Sequence, residues 1–231
     1  MLLLYFRNST LYMAIPKVIY QTFKNHQLPF ITRWQIKRTL KRNPAYSYEF
    51  YDDARIEDFL EEGFEPGVLQ AYKKIQIGAA KADFFRYAVL YKKGGVYLDI
   101  DSRIVKPLDK FIRPDDLAVI SVENNEVKCY IQWGLIYAPG HPFLERTIQL
   151  MLDNIRLNRF PHSVHEMTGP TVYTKAIREC MEEDPSIPYR LVGVDYEGCM
   201  KFKYPLNKLV YQKGEHWKEA QKTKTVLRQD V

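Results

Sequence analysis

The sequence predicts an α/β fold, a sheet with helices on its faces. Short β-branched and aromatic segments alternate with helical patterns through the first half of the chain, which is the order typical of this class. The 231 residues are 46% hydrophobic and 27% charged, an ordinary globular composition, and their number fits one domain. We therefore expect one compact α/β domain.

The first elements follow from local patterns near the N-terminus. Residues 17–23 are β-branched and aromatic and predict a first strand entered from Pro16. The next predicted elements are a helix over 33–42 capped by Thr32, a strand over 46–51, a turn at Asp52-Asp53, and a helix over 56–62 closed by Gly63.

A stronger helix is predicted over residues 75–92, where apolar residues recur at steps of three and four. Gly94-Gly95 should end it, since glycine is favoured just after a helix. Residues 96–100 then read as a buried strand, interrupted only by Asp99. The second half adds predicted strands over 117–122, 131–138 and 189–194, and helices over 142–157 and 170–181.

Two aspartates mark the end of the apolar strand. Asp99 and Asp101 are two residues apart, so in a strand they would share one face. The carboxyl edge of an open α/β sheet is where ligands bind. Neighbouring carboxylates repel unless a cation or proton separates them, and oxygen ligands suit Mn²⁺ or Mg²⁺. The pattern predicts a divalent cation that neutralises a phosphate group.

The preceding helix carries a second charged pair. Asp83 and Arg86 are three residues apart and share a helix face. One interpretation is an exposed salt bridge of about 0.2–0.5 kcal/mol. The alternative is that both side chains enter the cleft of Asp99, because the helix leads directly into that strand.

Several segments together resemble a known family. They are residues 79–87 (AAKADFFRY), 94–101 (GGVYLDID), 106–108 (KPL), 15–23 (IPKVIYQTF), 138–143 (APGHPF) and 168–170 (TGP). This set resembles glycosyltransferase family 32, the DxD-motif sugar transferases related to the yeast initiating mannosyltransferase and similar to the glucosylating clostridial toxins. The resemblance spans about residues 15–217 and implies a GT-A type nucleotide-sugar-binding fold, with a mixed central sheet flanked by helices.

The resemblance also implies roles for individual residues. Catalysis would rest on Asp99, Asp101 and Arg86, and the metal would be Mn²⁺ or Mg²⁺ bound by Asp99, Asp101 and His216. The donor-binding set would be Gln21, Phe23, Asp83, Arg86, Tyr97, Asp99 and Trp217. Two departures weaken parts of this picture: Tyr20 and Phe23 replace the usual His and Trp, and the closing Ser-Trp after Trp217 is missing.

The predicted function is metal-dependent transfer of a sugar from a UDP- or GDP-linked donor to a glycan or lipid-linked acceptor. Retention of anomeric configuration and a role in surface polysaccharide such as capsule are part of this expectation. One alternative is a DxD phosphatase with an aspartyl nucleophile. Another is a non-catalytic protein that binds nucleic acid or an anionic surface, although no nucleic-acid motif is present.

Charge and cysteine content lead to predictions about boundaries and location. We expect an N-terminal extension over 1–12, one domain over 13–217 and a basic tail over 218–231. Residues 201–231 hold eight basic and three acidic residues, a net charge of +5, and a second basic cluster lies within 33–42. Both basic segments could bind to an anionic membrane surface. Three cysteines, an odd and sparse set without CxxC or zinc spacing, fit a reducing compartment, so we expect a cytoplasmic enzyme, peripheral at the inner membrane face.

Overall fold

A computed structural model describes residues 13–123, 129–206, 209–210 and 217–228; of residues 217–219 it describes the backbone alone. The strands are β1 (Val18–Thr22), β2 (Ser47–Tyr51), β3 (Gly95–Leu98), β4 (Arg103–Ile104), β5 (Ala118–Ser121), β6 (Gly134–Tyr137), β7 (Arg190–Val192) and β8 (Met200–Lys201). The helices are α1 (Phe30–Arg42), α2 (Asp53–Gly63), α3 (Pro66–Lys74), α4 (Gly78–Lys93), α5 (Pro142–Arg156), α6 (Val164–Met167), α7 (Pro170–Glu183), α8 (Val194–Glu197) and α9 (Trp217–Thr223). In these residues no helix is long and apolar enough to cross a membrane.

The central sheet has six strands in the order β2-β1-β3-β6-β5-β7, and β4 pairs with β8 in a small second sheet. Strands β2, β1 and β3 are mutually parallel, whereas β6 runs antiparallel to both of its neighbours. The sheet is therefore mixed, as predicted, and the carboxyl ends of β1, β2 and β3 meet at one edge.

Alternate strand residues fill two cores on opposite faces of this sheet. Tyr20 and Tyr97 point into the larger core, which helices α4, α5 and α7 cover. Ile19 and Val96 point the other way, toward Ile104 of the small sheet. This layered arrangement confirms an α/β fold with helices flanking the sheet.

Helices α1 and α2 begin earlier than predicted, and helix α4 begins later, at Gly78 instead of Ile75, because Ile75 forms a β-bridge with Leu227. Helix α1 begins at Phe30 after Pro29, so Thr32 lies inside the helix, where its hydroxyl bonds that of Tyr204 at 2.7 Å and cannot cap. Helix α2 begins at Asp53, because the Asp52 carboxylate accepts a hydrogen bond from the Arg55 N–H at 3.0 Å. The predicted turn is thus a helix N-cap.

Glycines 94 and 95 connect helix α4 to strand β3. Both have positive φ, 63° and 111°. A side chain at Gly94 would put its Cβ 2.6 Å from Pro139, and one at Gly95 would approach the Val18 carbonyl at 2.9 Å. Only glycine fits this link, which confirms the predicted end of the helix.

The segment assigned to α8 is a left-handed turn. Asp195, Tyr196 and Glu197 have φ of 51°, 52° and 53°, and Gly198 continues at 72°. Left-handed backbone costs about 1–2 kcal/mol per non-glycine residue. Tyr196 offsets this cost by burial and by two hydrogen bonds that it donates, from its hydroxyl to the Gly134 carbonyl and from its N–H to the Ser121 hydroxyl oxygen.

Residues of the predicted basic tail pack onto the domain. Gln76 donates from its side chain to the carbonyls of Thr225 and Leu227, and from its N–H to Val226. Val226 and Leu227 are buried. Residues 225–228, which follow helix α9, therefore pack against the end of helix α3 and the residues after it.

His141 supplies a pH-dependent contribution to stability. Its Nδ1 accepts from the Phe143 N–H, capping α5, and its Nε2 faces the Pro188 carbonyl, so the neutral ring fits this site. Burial lowers its pKa to about 4, against about 6.5 when unfolded. As pH falls below about 6.5, the unfolded state binds a proton that the folded state does not. The free energy of unfolding is therefore lower by about 2–3 kcal/mol at about pH 4.5.

Urea unfolding at about pH 7 and about pH 4.5 checks this prediction. His141→Asn keeps a cap acceptor but cannot titrate, so its loss of stability on acidification should be smaller by that amount. An equal loss in both proteins would refute the assignment.

Candidate active site

The carboxyl ends of the three parallel strands border a cavity of about 560 Å³. Phe23 follows β1, Asp53 follows β2, and Asp99 follows β3, and all three line it. The antiparallel strand β6 begins at the same edge and brings in Gln132 and Trp133. This is the edge at which open α/β sheets bind ligands.

Asp99 and Asp101 lie in a turn rather than in the strand. Strand β3 ends at Leu98, and the Ser102 N–H closes the turn on the Asp99 carbonyl at 2.9 Å. The alternation argument therefore gave the wrong local structure, because the aspartates follow the last residue of the ladder. Both carboxylates nevertheless line the cavity together.

Helix α4 brings Asp83 and Arg86 to the same edge. The helix runs back along β3, so its first half lies beside the strand's carboxyl end. Both side chains are only 4% exposed, and the Arg86 Nη2 lies 3.2 Å from Asp83 and 2.8 Å from Asp99. The exposed salt-bridge interpretation is wrong, and this is a buried ion-pair network.

Arg86 holds two carboxylates that burial disfavours. Burial raises the pKa of both Asp83 and Asp99, and the Arg86 guanidinium opposes this rise at each. The Asp101 carboxylate raises the pKa of Asp99 further. A bound cation would remove that repulsion, which is the arrangement expected of a metal site.

Three polar residues that the sequence analysis did not single out complete the network. Gln132 donates to Asp83 at 3.2 Å, and its side-chain oxygen accepts from the Tyr87 hydroxyl. Its main-chain carbonyl accepts from Arg86 at 3.0 Å. The Thr168 hydroxyl donates to Asp83 at 2.9 Å. Thr168 belongs to a family-like segment, which is the one signal that pointed to it.

The predicted donor residues of the first and third strands occupy different layers. Phe23 and Tyr97 line the cavity, and the Tyr97 hydroxyl donates to Asp99 at 2.9 Å. Gln21 is buried, donates to the Asp99 carbonyl at 3.1 Å and accepts from Tyr48. Gln21 therefore supports the turn from below, and its contact with a donor stays a prediction.

The residues present fit a cation that also has phosphate ligands. Asp99 and Asp101 supply two carboxylates at one turn. Proteins usually bind Mg²⁺ through one or two carboxylates, and phosphate oxygens and water supply the other ligands. Among the described residues there is no cluster of three or more metal-ligating side chains. His216 lies outside the described residues, as does the side chain of Trp217, so their roles stay predictions.

Comparisons with known proteins find glycosyltransferases. The family model for a glycosyltransferase sugar-binding region containing a DXD motif matches residues 30–118. An uncharacterized glycosyltransferase of Acanthamoeba polyphaga mimivirus is 31% identical over 184 residues, covering 79% of this chain and 72% of that protein. The initiation-specific alpha-1,6-mannosyltransferase of Schizosaccharomyces pombe is 29% identical over 196 residues, covering 71% of this chain and 48% of that protein.

Solved structures share the fold. The PaToxG glycosyltransferase superposes with a TM-score of 0.58 at 20% identity, over 75% of this chain and 72% of that one. The UDP-bound glycosyltransferase domain of the YGT toxin gives 0.58 at 10% identity, over 87% and 82%. The viral relative is similar along most of both chains, and the DxD turn of this chain lies against a buried Asp83–Arg86 pair. This chain therefore belongs to the DxD-motif glycosyltransferases of family 32 and has the GT-A fold.

Proposed function

We propose that the protein transfers a hexose from a UDP- or GDP-linked donor to a glycan or lipid-linked acceptor. The observation that carries this is the convergence of Asp99, Asp101 and the buried Arg86 guanidinium on one cavity edge. The names of the fungal relatives favour mannose. The chain spans only about half the length of those relatives, so mannose transfer by this chain is part of the proposal.

Each side chain has a task in this proposal. Asp99 and Asp101 would hold Mn²⁺ or Mg²⁺, which supplies charge neutralisation to the departing diphosphate. Arg86 adds a fixed positive charge beside them, with a planar guanidinium suited to phosphate oxygens. Phe23 offers its ring to the nucleoside base, and Tyr97 orients the Asp99 carboxylate.

Retention with attack from the leaving-group side is our mechanistic proposal. A covalent route needs a free nucleophile near the anomeric carbon. The buried Asp83 carboxylate accepts from Thr168 and Gln132 and pairs with Arg86, so it is suited to hydrogen bonding and poorly suited to attack. An NMR time course that showed an inverted product would overturn this.

Titration of nucleotide sugars with and without Mn²⁺ tests the proposal. We expect one UDP- or GDP-linked donor to bind in a metal-dependent way to the wild type and not to Asp101→Ala. A folded protein that binds none of the donors would exclude donor-dependent transfer. It would leave the binding of an anionic surface as the alternative.

Helix α1 suggests where the enzyme works. Its outward residues repeat at helical spacing, and they are Phe30, Arg33, Trp34, Lys37, Arg38 and Lys41. Two exposed aromatic rings lie beside four cations on one face of a helix without acidic residues, and such a basic surface attracts anionic lipid headgroups. Tyr204 links this helix to the catalytic turn, by its hydroxyl to Thr32 and by its N–H to the Asp101 carbonyl.

We therefore propose that α1 contacts an anionic cytoplasmic membrane face, beside which a lipid-linked acceptor reaches the cavity in surface polysaccharide synthesis such as capsule. The cytoplasmic placement is supported by Cys129, Cys180 and Cys199, which are buried and unpaired. Each surface cation is worth about 1 kcal/mol near anionic lipid, so removing four should weaken binding at least about 100-fold.

Flotation with phosphatidylcholine vesicles, with and without phosphatidylserine, measures this binding. The test variant neutralises the four α1 cations to Gln. A matched variant neutralises the exposed lysines 73, 92, 110 and 175 and should bind as the wild type does. Equal binding by the two variants would contradict the α1 proposal.

A further inference from the structure

An aromatic pair lines the cavity beside the DxD turn. The rings of Trp133 and Phe202 are stacked, with centroids 5.5 Å apart and planes 23° apart. Trp133 is nearly buried, whereas Phe202 is 46% exposed. Both line the cavity. A half-exposed aromatic ring in a cavity wall is a surface that a flat, partly apolar group can cover.

The pair lies on the side of the catalytic turn away from Phe23. The Asp99 N–H donates to the Trp133 carbonyl at 2.7 Å, which places Trp133 on the β6 side of strand β3. Phe23 follows β1, the neighbour of β3 on its other side. If the nucleoside lies toward Phe23, the β6 side is left for the group that receives the sugar.

Strained backbone fixes the orientation of this pair. Tyr196, in the left-handed turn, packs edge-on against Trp133 with ring centroids 6.2 Å apart. Its hydroxyl also bonds the carbonyl of Gly134, the residue after Trp133, at 2.6 Å. Strained backbone persists where the surroundings over-determine it, frequently at ligand sites. Here it holds the ring on which Phe202 rests.

We propose that Trp133 and Phe202 form the acceptor subsite, where the outer face of Phe202 stacks on a pyranose ring; this rests on the proposed function. A pyranose presents an apolar C–H face to such a ring and keeps its hydroxyls at the rim. Polar groups stand nearby to bind them: Glu123 and Lys203 line the same cavity. The exposed Lys203 ammonium, 4.8 Å from the Phe202 centroid, moves aside when the sugar stacks.

Phe202→Leu tests the stacking, because leucine keeps the apolar contact and removes the aromatic face. With the donor identified by titration, transfer is measured to a panel of methyl pyranosides of mannose, glucose and galactose. We expect the acceptor KM to rise about tenfold, with little change in kcat. The donor Kd should stay unchanged, and so should the rate of donor hydrolysis, in which water replaces the acceptor. Phe202→Tyr keeps the aromatic face and should have the wild-type acceptor KM. Leu206 is an exposed residue of the same segment, and Leu206→Ala should also have the wild-type KM.

Each other outcome identifies which idea fails. Absence of donor binding in the wild type would remove the proposed function itself. Donor binding with no stimulation by any pyranoside, or an unchanged acceptor KM in Phe202→Leu, would overturn the subsite alone. A weakened donor Kd in Phe202→Leu would also overturn it and would assign the aromatic pair to the donor.

Discussion

Asp101→Asn is expected to lower kcat/KM for sugar transfer by about 10³-fold, which corresponds to about 4 kcal/mol of lost transition-state stabilisation. The amide keeps the shape of the side chain and removes the charge. Asp101 is 4% exposed and lines the cavity with Asp99, so its charge acts at a site that is largely shielded from water. The loss should appear as weaker Mn²⁺ dependence of donor binding as well as slower transfer.

The folded state of this variant should survive, because the charge of Asp101 raises the pKa of Asp99 and its removal relieves repulsion. Thermal unfolding without added metal checks that point. Asp58→Asn, a substitution of an exposed aspartate on α2, should leave kcat/KM unchanged. Activity within about tenfold of the wild type in Asp101→Asn would mean that the cation has other ligands.

The central helix–strand unit could be predicted because its signals are local. Apolar spacing set the helix before Gly94, and the buried strand after it follows from its apolar run. The placement of Asp83 and Arg86 in the cleft followed from the short connection alone. The prediction that Asp99 and Asp101 lie in a strand was wrong because β3 stops at Leu98, which pairs with Gly134, the first residue of β6. That strand end depends on a partner 36 residues away in the sequence.

Other parts of the site depend on contacts that sequence spacing does not encode. Gln132 reaches Asp83 from the segment before β6, and Thr168 reaches it from the residue after α6, so neither carries a periodic signal. Helix α3 is different, because Pro66 at its first position was a legible start signal that the sequence analysis missed.

Arg86→Met is expected to lower the free energy of unfolding by about 3–5 kcal/mol, because it leaves the buried Asp83 carboxylate and the partly buried Asp99 carboxylate without their counter-ion. In a chain of this size that corresponds to a fall in Tm of about 10 °C. Arg55→Met is the matched control. Its guanidinium also lies 2.7 Å from a carboxylate, that of Glu49, but 47% of its side chain is exposed, and such pairs contribute at most about 1 kcal/mol.

The pH dependence of the loss distinguishes an electrostatic role from simple packing. Burial already raises the pKa of Asp83 and Asp99 in the fold, and without Arg86 both rise further above their unfolded values. A carboxyl with a raised folded pKa binds more protons folded than unfolded, so its fold loses stability as pH increases. The deficit of Arg86→Met should therefore be larger at about pH 8 than at about pH 5, and Asp99→Asn added to it should recover part of the loss. A deficit independent of pH, with no recovery in the double variant, would mean that Arg86 stabilises the fold by filling space rather than by holding the carboxylates ionised.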